Sequence, residues 1–113
     1  MNHDLATTSP TLDGYQIIQN LGIVRGISVR SRSVFGTIGA KIETMFGGNI
    51  ALLTTLCEKT RREAYDIMME HAEHMGANAV VAMRYDATEL MAGLTEVLCY
   101  GTAVHVEPQA RRE

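Results

Sequence analysis

Cysteine is scarce in this chain, and so is everything that would tie it to a membrane or to nucleic acid. Two cysteines, Cys57 and Cys99, are too few for a disulfide framework. They read as buried thiols of a reducing compartment. No apolar run approaches the roughly 18 residues needed to cross a bilayer. The opening MNHDLATTSPTLDG lacks a basic region followed by an apolar core, so no signal peptide is expected. A basic excess is missing too: 10 Lys and Arg against 13 Asp and Glu leave a net charge of -3. That removes the electrostatic footprint of nucleic-acid binding, leaving at most a local patch from Arg25, Arg30, Arg32, Arg61, Arg62 and Arg84. The expectation is one cytoplasmic domain in 113 residues, with neither nucleic acid nor membrane as a partner.

The glycine-rich stretch FGTIGAKIETMFGGNI, residues 35–50, has the texture of a phosphate loop but lacks its grammar. A P-loop needs Gly-Lys followed by Ser or Thr, whereas Gly39 is followed by Ala40, Lys41 and Ile42. No three glycines keep the spacing of a dinucleotide fingerprint. GTIG has only the four-letter form of an RNA-binding GXXG loop. The helical spacing of Ile38, Ile42, Met45 and Phe46 instead predicts a short amphipathic helix over 37–46, ended by Gly47 and Gly48. The glycines serve turning.

From Asn49 to about Met75 there is no Gly or Pro, and Leu53, Leu56, Cys57, Ala64, Ile67, Met68 and Met75 recur at helical spacing. Glu58, Lys59, Arg62, Glu63, Asp66, Glu70 and Glu73 occupy the opposite face, and Gly76 is placed to cap the end. Before this long helix, YQIIQNLGIVRGISVRSRS reads as a short strand, a turn at Asn20 and Gly22, and a longer strand. In the longer one Ile23, Arg25, Ile27 and Val29 share one face, and Val24, Gly26, Ser28, Arg30 and Arg32 the other. After the helix, ANAVVAMRYDATEL and LTEVLCYGTAVHVEP are strands around a turn near Met91–Gly93, with Asn78 tying the first to nearby backbone. The polar residues 1–13 form a loose arm, 14–108 the domain and 109–113 a tail. The fold class is therefore α+β: a mostly antiparallel sheet of about four strands packed on one long helix plus a short one.

A helix of roughly 26 residues reaches ~39 Å, while a compact chain of this size has a radius of gyration near ~13 Å. One helix cannot cover both faces of the sheet. Val80, Ala82, Leu98, Val104 and Val106 are left for other cover, and copies of the same chain would supply it in a homo-oligomer.

Metal donors are present without metal spacing. Cys57, Cys99, His71, His74 and His105 are the candidates, with His3 outside the domain, but no CxxC, HExxH or CxxH occurs. Cys57 and His71 share a helical face ~21 Å apart, beyond one coordination sphere. His71 and His74, three residues apart, can share an ion, although His71 also falls on the centre of the apolar stripe and suits a core or interface histidine. Cys99 shares a strand face with Val97, Gly101, Ala103 and His105, small enough to lie under a helix. A Cys57–Cys99 pair across that contact would favour Zn²⁺ or Cu⁺, with one ion per chain. Two structural thiols are the alternative. No nucleophile elbow or paired-carboxylate spacing marks an enzyme. Arg84 and Asp86 face away from Tyr85 and read as a surface or interface pair.

Taken together, LGIVRGISVRS at 21–31, the Gly-Gly pair at 47–48, GANAVVAMRYD at 76–86 and GTAV at 101–104 resemble the YbjQ-like proteins, a bacterial and archaeal group labelled heavy-metal-binding. The resemblance implies an α+β subunit assembled into a ring, usually a pentamer, and supplies neither an established activity nor a ligand set. Many relatives place Arg after the Gly-Gly pair, where this chain has Asn49. The functional expectation is a small oligomeric module binding a heavy metal or small ligand, with a metal-free scaffold as the alternative.

Overall fold

The computed structural model describes residues 5–31, 49–91 and 94–109. In chain order it contains β1 (Tyr15–Ser31), α1 (Asn49–His74), β2 (Ala79–Met91) and β3 (Leu94–Pro108). The strands form one antiparallel sheet in the order β1-β3-β2, with α1 across one face. The architecture is α+β as expected, but the described sheet has three strands where about four were anticipated. The short helix over 37–46 lies outside the described residues.

The missing strand was a misread turn. Asn20 and Gly22 do not reverse the chain: the Asn20 Oδ1 accepts the Gly22 amide at 2.9 Å, Gly22 takes φ +107°, and pairing with β3 shifts register there and again between Ile17 and Gln19. A local side-chain bond that mimics a turn instead makes a bulge within one 17-residue strand.

Helix and sheet meet where side chains are smallest. A methyl group on Gly26 would overlap the carbonyl oxygen of Ala64 and lie 2.5 Å from the Met68 amide nitrogen, so the two backbones are in direct apposition. Val24, Ala64, Met68, Met69, Ala72, Cys99 and Ala103 close the core around that contact. The buried stripe of α1 runs through Thr60, Ala64, Met68 and Ala72, whereas Cys57 and Ile67 are exposed. Buried Thr60 satisfies its hydroxyl on the Leu56 carbonyl, 2.9 Å away.

The helix ends as its sequence predicts. Gly76 has φ +85°, its amide donates to Glu73 O, and the Ala77 amide reaches back to Ala72 O, both at 3.0 Å. This is the paired bonding of a Schellman cap, and buried Ala72 and Ala77 close it. Asn78 then behaves as a strand residue through its side chain: Nδ2 donates to Val106 O at 2.9 Å and Oδ1 accepts the Val106 amide at 2.8 Å.

Two further departures concern the second sheet face. Residues 5–9, expected in a loose arm, run parallel to the β2 edge; amides of Thr7, Val80, Ala82 and Met83 bond across it at 2.8–3.0 Å. Leu5, Leu12 and Tyr15 pack on Ala79, Val81, Val104 and Val106. Val104 and Val106 are therefore covered by their own chain, and Val80 lies under α1. At Ala82 (φ 54°) β2 bulges, with Ala82 and Met83 together opposite Gly101. The strand then continues with Tyr85 opposite Cys99 on the helix side and Arg84 opposite Tyr100 on the other.

Candidate functional site

The five metal candidates do not converge. Cys99 is fully buried, and its Sγ approaches Met68 Sδ at 3.6 Å beneath α1. Burial pushes its thiol up to about 11, against a smaller lowering from the Tyr85 phenol beside it. A thiol held protonated in this way is a poor ligand and nucleophile at neutral pH. Cys57 is exposed, correcting the expectation that both thiols are buried. It precedes Met68 by eleven helical residues, or ~16 Å, so the two thiols do not meet.

The histidines sit elsewhere. His71 is exposed at the rim of the stripe, not at its centre, and its Nδ1 accepts the Arg25 amide at 3.4 Å along the outer edge of β1. His74 is exposed one turn further on, and half-buried His105 lies six strand residues from Cys99, ~20 Å away. Among the described residues no group of three or more His, Cys, Asp or Glu side chains could hold an ion. The described donors of one subunit therefore do not by themselves make a closed soft-metal site.

What the fold does bring together is a polar cluster on each side of α1. Toward β1, Glu63 accepts from Ser28 Oγ at 3.1 Å and pairs with Arg30. Burial alone would raise the Glu63 carboxyl, but the hydrogen bonds from Arg30 and Ser28 and the charges of Arg30 and Lys59 together hold it below the ordinary value. Toward β2, Glu58, Arg61, Arg62, Tyr65 and Tyr85 line an open recess of about 460 Å³. The Arg62 guanidinium lies 5.6 Å from the centre of the Tyr65 ring. Burial, then Cys99, pushes the Tyr85 phenol up to about 12. A smaller hollow of about 140 Å³ shares Arg61 and adds Cys57, Thr60, Ala87, Thr95 and Val97.

Sequence reasoning missed the recess because it joins α1 to β2 across the sheet. Its only local signal was the pairing of Arg61-Arg62 with Tyr65 at one helical turn.

Among the described residues, a three-stranded antiparallel sheet crossed by one long helix defines a small α+β subunit. The chain belongs to the YbjQ family, described as putative heavy-metal-binding, whose model matches residues 5–107. It is 56% identical over 109 residues to a UPF0145 protein of Solibacter usitatus, covering 96% of this chain and 97% of that one. It is 62% identical over 100 residues to a UPF0145 protein of Burkholderia thailandensis, covering 88% and 90%. A crystal structure of a DUF74-family protein of unknown function from Pediococcus pentosaceus shares the fold at 16% identity, with a TM-score of 0.57 over 90% of this chain and 96% of that one. The family has no established activity, and the bacterial relatives extend the resemblance across nearly the whole domain.

Proposed function

We propose that the protein is a homo-oligomeric binding module of the cytoplasm, assembled as a closed ring that is five-fold by resemblance to its family. One observation carries the reading. On the sheet face away from α1, Ile23 is 76% exposed and Ile27 and Val29 are each 42% exposed, forming an uncovered apolar row on β1. The other half of that face is sealed by residues of the same chain. Contiguous exposed apolar rows on a soluble subunit mark interfaces.

A second copy is the occupant that fits. Arg25 and Arg84 of one sign, and Asp86 and Glu96 of the other, are interleaved on the same face as the apolar row. A surface carrying both signs around an apolar strip can complement a copy of itself. The subunit is also extended, with a radius of gyration of 17.8 Å, against about 13 Å for a compact chain of this length.

A metal, if bound, belongs at subunit boundaries, where exposed Cys57, His71 and His74 can be supplemented from a neighbour; Cys99 is excluded by its burial. The preferred ions remain Zn²⁺ and Cu⁺. Light scattering at micromolar concentration tests the assembly, and a stable monomer contradicts it. Elemental analysis after zinc loading and gel filtration, beside Cys57→Ser, separates the metal-binding module from the metal-free scaffold: retention in the parent and loss in the variant supports the former.

A further inference from the structure

The recess between α1 and β2 has the makings of a ligand site that no metal reading uses. One wall is about two turns of helix presenting Glu58, Arg61, Arg62 and Tyr65, and the other is Tyr85, turned toward the helix by the bulge at Ala82 and Met83. Its volume of about 460 Å³ falls in the range of small-molecule pockets. Two guanidinium groups and two phenol rings around one hollow combine the groups that recognise anions with those that stack on flat rings.

The arginines are available to a ligand. Arg61 lies 3.9 Å from Glu58 and Arg62 lies 3.5 Å from Asp66, and the four side chains are 48–71% exposed. Ion pairs of that length and exposure contribute little to stability, so exchanging one carboxylate for a ligand oxygen costs little. Glu58 and Asp66 also set a limit: each neighbours one of the two arginines, so a ligand anion has to displace a carboxylate to reach it. Tyr85 stays protonated at neutral pH, so its ring brings no second negative charge to the recess.

We propose that this recess binds a small aromatic anion of about the size of a nucleoside monophosphate, with its ring against Tyr65 and Tyr85 and its anionic group held by Arg62 and Arg61. The assignment deepens the binding-module reading and rests on it, but it is made by one subunit and does not depend on the ring.

The test is a titration of the full chain with three probes, followed by amide chemical shifts: adenosine monophosphate, which carries both features, adenosine, which lacks the charge, and inorganic phosphate, which lacks the ring. Adenosine monophosphate is expected to shift amides at 58–65 and 84–86 with a dissociation constant at or below about 1 mM, and the other two to bind at least about tenfold more weakly. A paired Arg61→Gln, Arg62→Gln variant should lose about tenfold or more, and Arg61→Lys, Arg62→Lys should recover part of it. Equal binding of adenosine, equal binding of phosphate, unchanged binding in the glutamine variant, or no saturable shift with any probe overturns the proposal. Light scattering on the same samples separates the readings, because an intact oligomer that binds none of the probes removes this ligand class and leaves the assembly standing.

Discussion

The two faces of the sheet are built on opposite rules. Toward α1 the strands present Gly26, Ser28, Cys99, Gly101 and Ala103, small side chains that let a helix descend until Gly26 meets the backbone of Ala64 and Met68. Away from α1, β1 presents Ile23, Ile27 and Val29, larger side chains than these, yet this is the face left open beside β1. Bulk alone would have sent the helix to the isoleucines. Close approach decides otherwise, because a helix seated on small residues brings its own Met68 and Met69 into full burial. The larger side chains are then free to serve an interface.

The sharpest way to break this contrast is to add one carbon to the helix side. Gly26→Ala places a methyl group into the Ala64 carbonyl, and neither backbone can yield without lifting the helix. Overpacking of that kind should cost about 3 kcal/mol, seen as a lowered thermal midpoint by circular dichroism. An unchanged midpoint would mean that the apposition of α1 and β1 is wrong.

Asn78→Ala probes the joint between helix and sheet. It strands both the amide and the carbonyl of Val106, and leaving such groups unsatisfied should cost about 1–3 kcal/mol. A loss well below that range in urea unfolding would show that water replaces the side chain.

The smallest effect belongs to the partly exposed Glu63 cluster. The Glu63 carboxyl titrates below its ordinary value of 4.5 when folded, so the stability it contributes is present above that value and is lost as pH falls through the depressed one. The gap in thermal midpoint between the parent and Glu63→Gln should therefore be constant near neutrality and close below about pH 4.5. A gap independent of pH would assign the difference to something other than the Arg30 and Ser28 bonds.

How much of this was legible depended on whether the signal was local. The long helix, its Gly76 cap and the strand character of 79–91 and 94–108 follow from periodicity and a single glycine, and the structure has them. Asn20 and Gly22 misled because the same side-chain bond serves a turn or a bulge, and only the partner strand decides. The faces of β1 were sorted correctly by alternation, but which one lies inside required knowing that Gly26 meets Ala64, a contact 38 positions apart. His71 missed the centre of the stripe for a related reason: the buried line passes through Thr60 and Ala72, small residues that the search for large apolar side chains left out. The recess at Arg62 and Tyr85 joins residues 23 positions apart and had no linear motif to reveal it.

The central claim is that the open isoleucine row of β1 is covered by another copy of the chain. Native mass spectrometry of the parent beside Ile23→Ser, Ile27→Ser tests it most directly, with circular dichroism confirming that each chain is folded. Both side chains lie outside the helix-side core, so the variant should keep its secondary structure. The account predicts one closed oligomer for the parent and folded monomers, or a much weakened assembly, for the variant. A parent that is monomeric, or a folded variant with the parent's oligomer undiminished, would contradict it.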